Sequence, residues 1–124
     1  MRKKAVRPRE VARRDIESAV DYYIAEAGLD VTLGFVDSLE AAYRAIADHP
    51  GAGSPRYADQ TALPGLRSRI LKRFPYLVFH FEQNDYIEIW RVPHAERDIP
   101  NSLNDPEERK TPKAARDAAE TQLP

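Results

Sequence analysis

Two apolar stripes of helical period, separated by only three residues, constrain this chain more than any other feature. Ala12, Ile16, Ala19, Val20, Tyr23, Ile24 and Ala27 recur at the spacing that lines one face of an α-helix. Leu33, Val36, Leu39, Ala42, Tyr43 and Ile46 repeat it. Gly28, Leu29 and Asp30 are all that lies between, so the two helices must run antiparallel as an αα-hairpin. The boundaries have chemical reasons. Pro8 suits a first helical turn, where a missing N–H leaves nothing unpaired, and Gly28 ends the first helix as a residue free to take positive φ. Asp30 is placed to cap the second helix, and His49, preceding Pro50, is biased away from helical geometry.

A helical hairpin buries one side of each helix only if a second layer receives it. Residues 49–64 hold three prolines and two glycines with neither helical nor strand period, and read as a long loop. Residues 66–73, 77–82 and 86–92 are rich in β-branched and aromatic side chains and read as strands, the last two joined by a hairpin over residues 83–85. Residues 3–7 add an edge strand ahead of the first helix. The expected fold class is α+β, in the order β-α-α-β-β-β, with the N-terminal αα-hairpin packed on one face of a small antiparallel β-sheet.

Counting outward from a three-residue turn pairs Glu82 with Tyr86, His80 with Glu88 and Val78 with Trp90. That register sends Leu77, Phe79, Phe81, Ile87 and Ile89 to the helix-covered face. It leaves Val78, His80, Glu82, Tyr86, Glu88, Trp90 and Val92 on an open one. The same phasing turns Leu66 and Ile70 inward and Arg67, Arg69 and Arg73 outward. Three arginines beside Trp90, Tyr86 and His80 make a surface suited to phosphates or acidic side chains; the alternative is that they are ordinary solvated strand residues. Either way, exposed charges of this kind contribute little to folding.

Charge and composition narrow the function classes. Residues 1–14 carry seven bases and one acid, residues 15–48 eight acids against Arg44 alone, and residues 49–73 five bases and one acid, beneath a net charge of −1. Such segregation points to a dipolar molecule, or to clustering along a helix by chance. The absence of cysteine excludes disulfides and thiolate chemistry. His49, His80 and His94 show no metal-ligand spacing, so no metal and no cofactor is expected. No apolar run is long enough to cross a membrane, and the basic start MRKKAVRPRE leads into no apolar segment, so a cytoplasmic protein is expected. At 124 residues there is room for one domain, read here as residues 1–98, followed by a polar, proline-rich tail, 99–124, in which Thr111 is placed to cap a short helix.

Four stretches, RPREVARRDIESAVDYYI, ADHPGAGSP, LRSRILKRFPYLVFHF and IEIWRVPHAERD, taken in this order resemble the RelE/ParE family of bacterial type II toxin-antitoxin toxins, its ParE-like branch in particular. The resemblance spans residues 4–98. It implies a toxin neutralised by a cognate, ParD-like antitoxin in a hetero-oligomer, with DNA gyrase as the target and no membrane partner. The RelE-like alternative is a ribosome-dependent mRNA endoribonuclease, for which His94, Arg67, Arg69 and Arg73 would carry the chemistry. After the last strand the chain reads His94, Ala95, Glu96, Arg97, Asp98, with no tyrosine to act as acid or base, which resembles the ParE ending. The expected target- or antitoxin-binding surface comprises Arg67, Arg69, Arg73, Tyr86, Trp90, His94 and Arg97.

Overall fold

The computed structural model describes residues 3–96. The expectations for Arg97, Asp98 and the 99–124 tail lie outside them. Strand β1 (Ala5–Pro8) leads into helix α1 (Glu10–Ala27), and Gly28 alone joins this to α2 (Leu29–Asp48). Gly28 sits at φ 89°, a conformation that strains any residue with a Cβ, and its N–H donates to the Tyr23 carbonyl at 3.0 Å. Its own carbonyl accepts from the Thr32 N–H and, at 2.8 Å, the Thr32 hydroxyl. Gly28 therefore caps both helices. Asp30 falls in the first turn of α2 instead of capping it, and Pro8 closes β1 instead of opening α1.

The burial phase of α2 is set by its largest ring. Phe35 is fully buried and meets Tyr23, Phe74 and Tyr76 at centroid distances of 5.5, 5.6 and 5.3 Å. Thr32, Leu39, Ala42 and Ile46 follow it inward, while Leu33, expected in the stripe, is 51% exposed. From α1, Ala12 and Ala19 are buried and Ile24 is not.

After a 3₁₀ turn (Pro50–Ala52) and a short helix α3 (Ala58–Thr61) come β2 (Arg67–Ile70), β3 (Leu77–Glu82) and β4 (Tyr86–Arg91). The sheet order is β1-β4-β3-β2. The last three strands are antiparallel as expected, but β1 lies parallel to β4, Val6 beside Ile87, so the sheet is mixed. No helix among the described residues is long and apolar enough to cross a membrane.

One pairing departs from expectation with large consequences. The Gln83 N–H donates to the Tyr86 carbonyl at 2.8 Å, so the hairpin closes over Asn84 and Asp85. Glu82 then faces Ile87, Phe81 faces Glu88 and His80 faces Ile89, one residue away from the register counted from a three-residue turn. Side chains alternate with period two, so a one-residue slip sends a whole strand's set to the opposite face. Val78 joins Ile87, Ile89 and Val92 against the helices. Leu77, Phe79 and Phe81 turn away from them, together with Trp90. A bulge at Phe79 and His80 brings Phe79 opposite Arg91.

This second face is not open. Tyr57, Ala58 and Leu63, from the stretch expected to be loop, and Leu66, expected to open a strand and face the helices, fold across it and pack on Leu77, Phe79, Phe81 and Trp90. Trp90 is 4% exposed, and Val78, His80 and Val92 are buried. The sheet is thus a middle layer with an apolar cluster on each side. Phe79→Ala tests this: it should lower the unfolding free energy by about 3–5 kcal/mol, read from chemical denaturation, whereas a residue on a thinly covered face would lose far less.

Candidate functional site

Arg67 and Arg69 alternate along β2 opposite His80 and Val78. Partners in an antiparallel pair share a face, so both arginines point to the helix side of the sheet at its β2 edge. The chain leaving α2 crosses there. Arg67 Nη1 donates to the Gly53 carbonyl at 2.8 Å, and Ser54 and Ser68 exchange two backbone hydrogen bonds of 2.9 Å. The approach is close enough to demand glycine. A Cβ on Gly53 would stand 2.9 Å from His80 Nε2 and 3.1 Å from the Ser68 carbonyl oxygen.

His80, beneath this crossing, is 1% exposed. Burial, then the charges of Arg69 and Arg67, push its pKa down to about 4, with Glu82 acting in the opposite direction. Its Nε2 and the Arg69 Nε are buried without a hydrogen-bond partner. At neutral pH the cluster is therefore two fixed cations flanking a neutral, sealed imidazole. It can attract an anionic group to the β2 edge, where the buried, neutral imidazole adds no charge of its own. Arg69 also borders a shallow pocket of about 330 Å³ with Arg56, Tyr57 and Ile70.

The other expected site residues lie elsewhere. Arg73 is exposed in the turn after β2, with a left-handed φ of 68°, and leaves the arginine row. Tyr86 and Trp90 belong to the opposite face. The Arg7 guanidinium lies 5.2 Å from the Tyr86 ring centroid, and Arg9 lies 4.4 Å over Trp90 while its Nε donates to the Trp90 carbonyl at 2.8 Å. Burial raises the pKa of the neighbouring Glu88, partly offset by Arg9. The surface expected to unite Arg67, Arg69, Arg73, Tyr86 and Trp90 is thus split across both faces and a turn.

His94 lines a cleft of about 690 Å³ with Asp15, Tyr22, Tyr23, Tyr76 and Glu96. It pairs with Tyr76 across an isolated bridge, their rings 5.1 Å apart and edge to face, and its Nδ1 accepts the Glu96 N–H at 3.2 Å. Asp15 was not a candidate from sequence, where it reads as one more helical acid. It receives Arg91 Nε at 2.7 Å, Arg91 Nη2 at 3.0 Å and the Val92 N–H at 2.9 Å. This fork ties α1 to the end of β4 and forms one wall of the cleft. Among the described residues no group of three or more histidines and carboxylates is placed to hold a metal ion.

His80 gives a pH test. Its folded pKa lies below the ordinary 6.5, so between pH 6.5 and 4 the unfolded chain binds a proton that the native protein refuses, and stability must fall as pH falls through that window. The loss attributable to this residue is about 3 kcal/mol. Denaturation of the His80→Leu variant should show a correspondingly flatter pH dependence across the window; an unchanged slope would mean the imidazole is not held neutral.

Comparison with known proteins bears on the whole described region. No curated protein matches the chain at a significant level. A solved structure, that of the "Chromosomal ParDE TA system from P. aeruginosa", superposes with a TM-score of 0.63 at 22% identity, covering 76% of this chain and 98% of that one. At that identity the likeness concerns the fold. The family described as "ParE toxin of type II toxin-antitoxin system, parDE" matches residues 6–99, from β1 through β4 and past His94. The chain belongs to the ParE toxin family.

Proposed function

We propose that this ParE-family chain acts by binding rather than by catalysis: it inhibits DNA gyrase in the cytoplasm and is neutralised by a ParD-like antitoxin in a hetero-oligomeric complex. The observation that carries this reading is that His94 lies on the β4 side of β3 and Arg67 and Arg69 on its β2 side. Cleaving a phosphodiester requires a proton acceptor within about 3 Å of the attacking hydroxyl and cations at the same phosphate. His94 is bridged to Tyr76, just ahead of β3, whereas Arg67 and Arg69 lie level with His80 and Val78 on the strand's other side. The histidine that does adjoin the arginines is sealed and neutral.

What remains at the β2 edge is charge suited to recognition. Arg67 and Arg69 stand along this edge, and Arg56 borders the same shallow pocket as Arg69. Such a surface favours carboxylates or phosphates of a partner and speeds their encounter. The same edge serves the target and the antitoxin in turn, so masking it would neutralise the toxin.

The test is a purified-gyrase assay of drug-like cleavage complexes beside a ribosome-bound mRNA cleavage assay. Cleavage complexes should accumulate with the full chain, persist in His94→Ala, and require about tenfold more Arg69→Ala for the same yield, the equivalent of ~1.4 kcal/mol. Arg69 is the chosen site because its side chain makes no hydrogen bond among the described residues. Positioned mRNA cuts abolished by His94→Ala, with no effect on gyrase, would replace this reading with the endoribonuclease one.

A further inference from the structure

Six large apolar side chains are markedly exposed among the described residues, and five of them, Tyr22, Ile24, Leu29, Val31 and Leu33, fall at the tip of the αα-hairpin. Apolar residues scattered singly over a surface need no explanation, but Leu29 and Leu33, four apart on α2, share one side of that helix and lie among acidic residues, the composition of an interaction site. Leu29 is 62% exposed and Leu33, one turn further along α2, is 51% exposed. Space around Gly28 is open as well: a Cβ there would meet nothing within 4 Å.

The charge at this tip has a single sign. Residues 21–40 contain Asp21, Glu26, Asp30, Asp37 and Glu40 and neither lysine nor arginine. None of these carboxylates joins a salt bridge among the described residues. Glu26 works against its own helix, because it occupies the last turn of α1, where the macrodipole favours a cation and no basic residue stands. Folding accounts for neither the exposed leucines nor the unneutralised acids, and a local rule broken without structural return is characteristic of an interaction surface.

We propose that the hairpin tip docks a protein segment whose apolar side chains are flanked by lysine or arginine. Its apolar residues would cover Ile24, Leu29 and Leu33, and its cations would face Asp21, Glu26 and Asp30, supplying the positive charge that the end of α1 lacks. Complementarity decides the partner's sign. An acidic segment suited to the Arg67 and Arg69 edge would meet only like charge here, so the two ends of the molecule select different partners. The proposal does not depend on gyrase being the target.

A short amphipathic helical peptide of leucine and lysine, and its leucine–glutamate counterpart, serve as probes against the isotope-labelled full chain. The leucine–lysine peptide should shift the backbone amides of residues 24–33 and bind more weakly as salt is raised; the glutamate peptide should leave them unmoved. Leu29→Ser with Leu33→Ser should reduce the affinity about tenfold without changing the melting temperature, since both side chains are more than half exposed. Asp21→Lys with Glu26→Lys should transfer the preference to the glutamate peptide. Shifts centred on the His94 cleft, equal binding of both peptides, or affinity indifferent to the leucine variant would overturn the proposal. Concentration-dependent dimers lost in the leucine variant would also overturn it, by showing a second copy of the chain as the occupant.

Discussion

The hairpin between β3 and β4 closes over Asn84 and Asp85, and the closure decides which way every side chain of β3 points. With Glu82 opposite Ile87, the rings of Phe79 and Phe81 leave the helices and need a cover of their own. Among the described residues the chain between α2 and β2 provides most of it, joined by Ala95 from beyond β4. To reach the far face it must pass around the β2 edge, and the passage explains the local chemistry there. Gly53 is small because it crosses directly over His80, Ser54 pairs with Ser68 to hold the crossing, and Arg67 donates to the Gly53 carbonyl. His80 is buried and neutral as a by-product of the same crossing.

Helices were legible in the sequence because their period runs over 18 and 20 residues, long enough to average out single exceptions such as Leu33. The extents of β3 and β4 were legible too, since polar residues 83–85 separate them and Pro75 and Pro93 stand beyond their outer ends, whereas the strand expected over 66–73 covers only 67–70. The register was not. Leu77, Val78, Phe79, His80 and Phe81 are all buried, on both faces, so alternation carries no information about which set meets the helices. Nor does sequence show that Tyr57 and Leu63 form a cover, because they follow no period and are flanked by Pro55 and Pro64.

Legibility of the candidate site follows from the same cause. Arg67 and Arg69 share a face with each other and with His80, as strand alternation requires, whatever the register of β4. Their expected company with Tyr86 and Trp90 depended on the β3–β4 register and failed with it. Arg73 failed for another reason: a left-handed φ at that position ends any continuation of β2, and arginine offers no sequence signal for it. Asp15 escaped notice because a carboxylate on a helix ordinarily faces water, and its partner Arg91 lies 76 residues away.

Among the described residues the sheet is covered on both faces, by the helices on one side and by side chains of residues 57–66 on the other. The features open to other molecules among the described residues lie around its rim: the basic β2 edge, the aromatic cleft at His94 and the tip of the helical hairpin. These are shallow or peripheral, and they differ in sign, the edge cationic and the tip anionic. Peripheral surfaces of opposite charge suit macromolecular partners, which can span several of them at once and gain affinity from each, better than a small ligand that must be enclosed. On such a scaffold the core can remain rigid while specificity is changed residue by residue at the rim, because rim charges contribute little to folding.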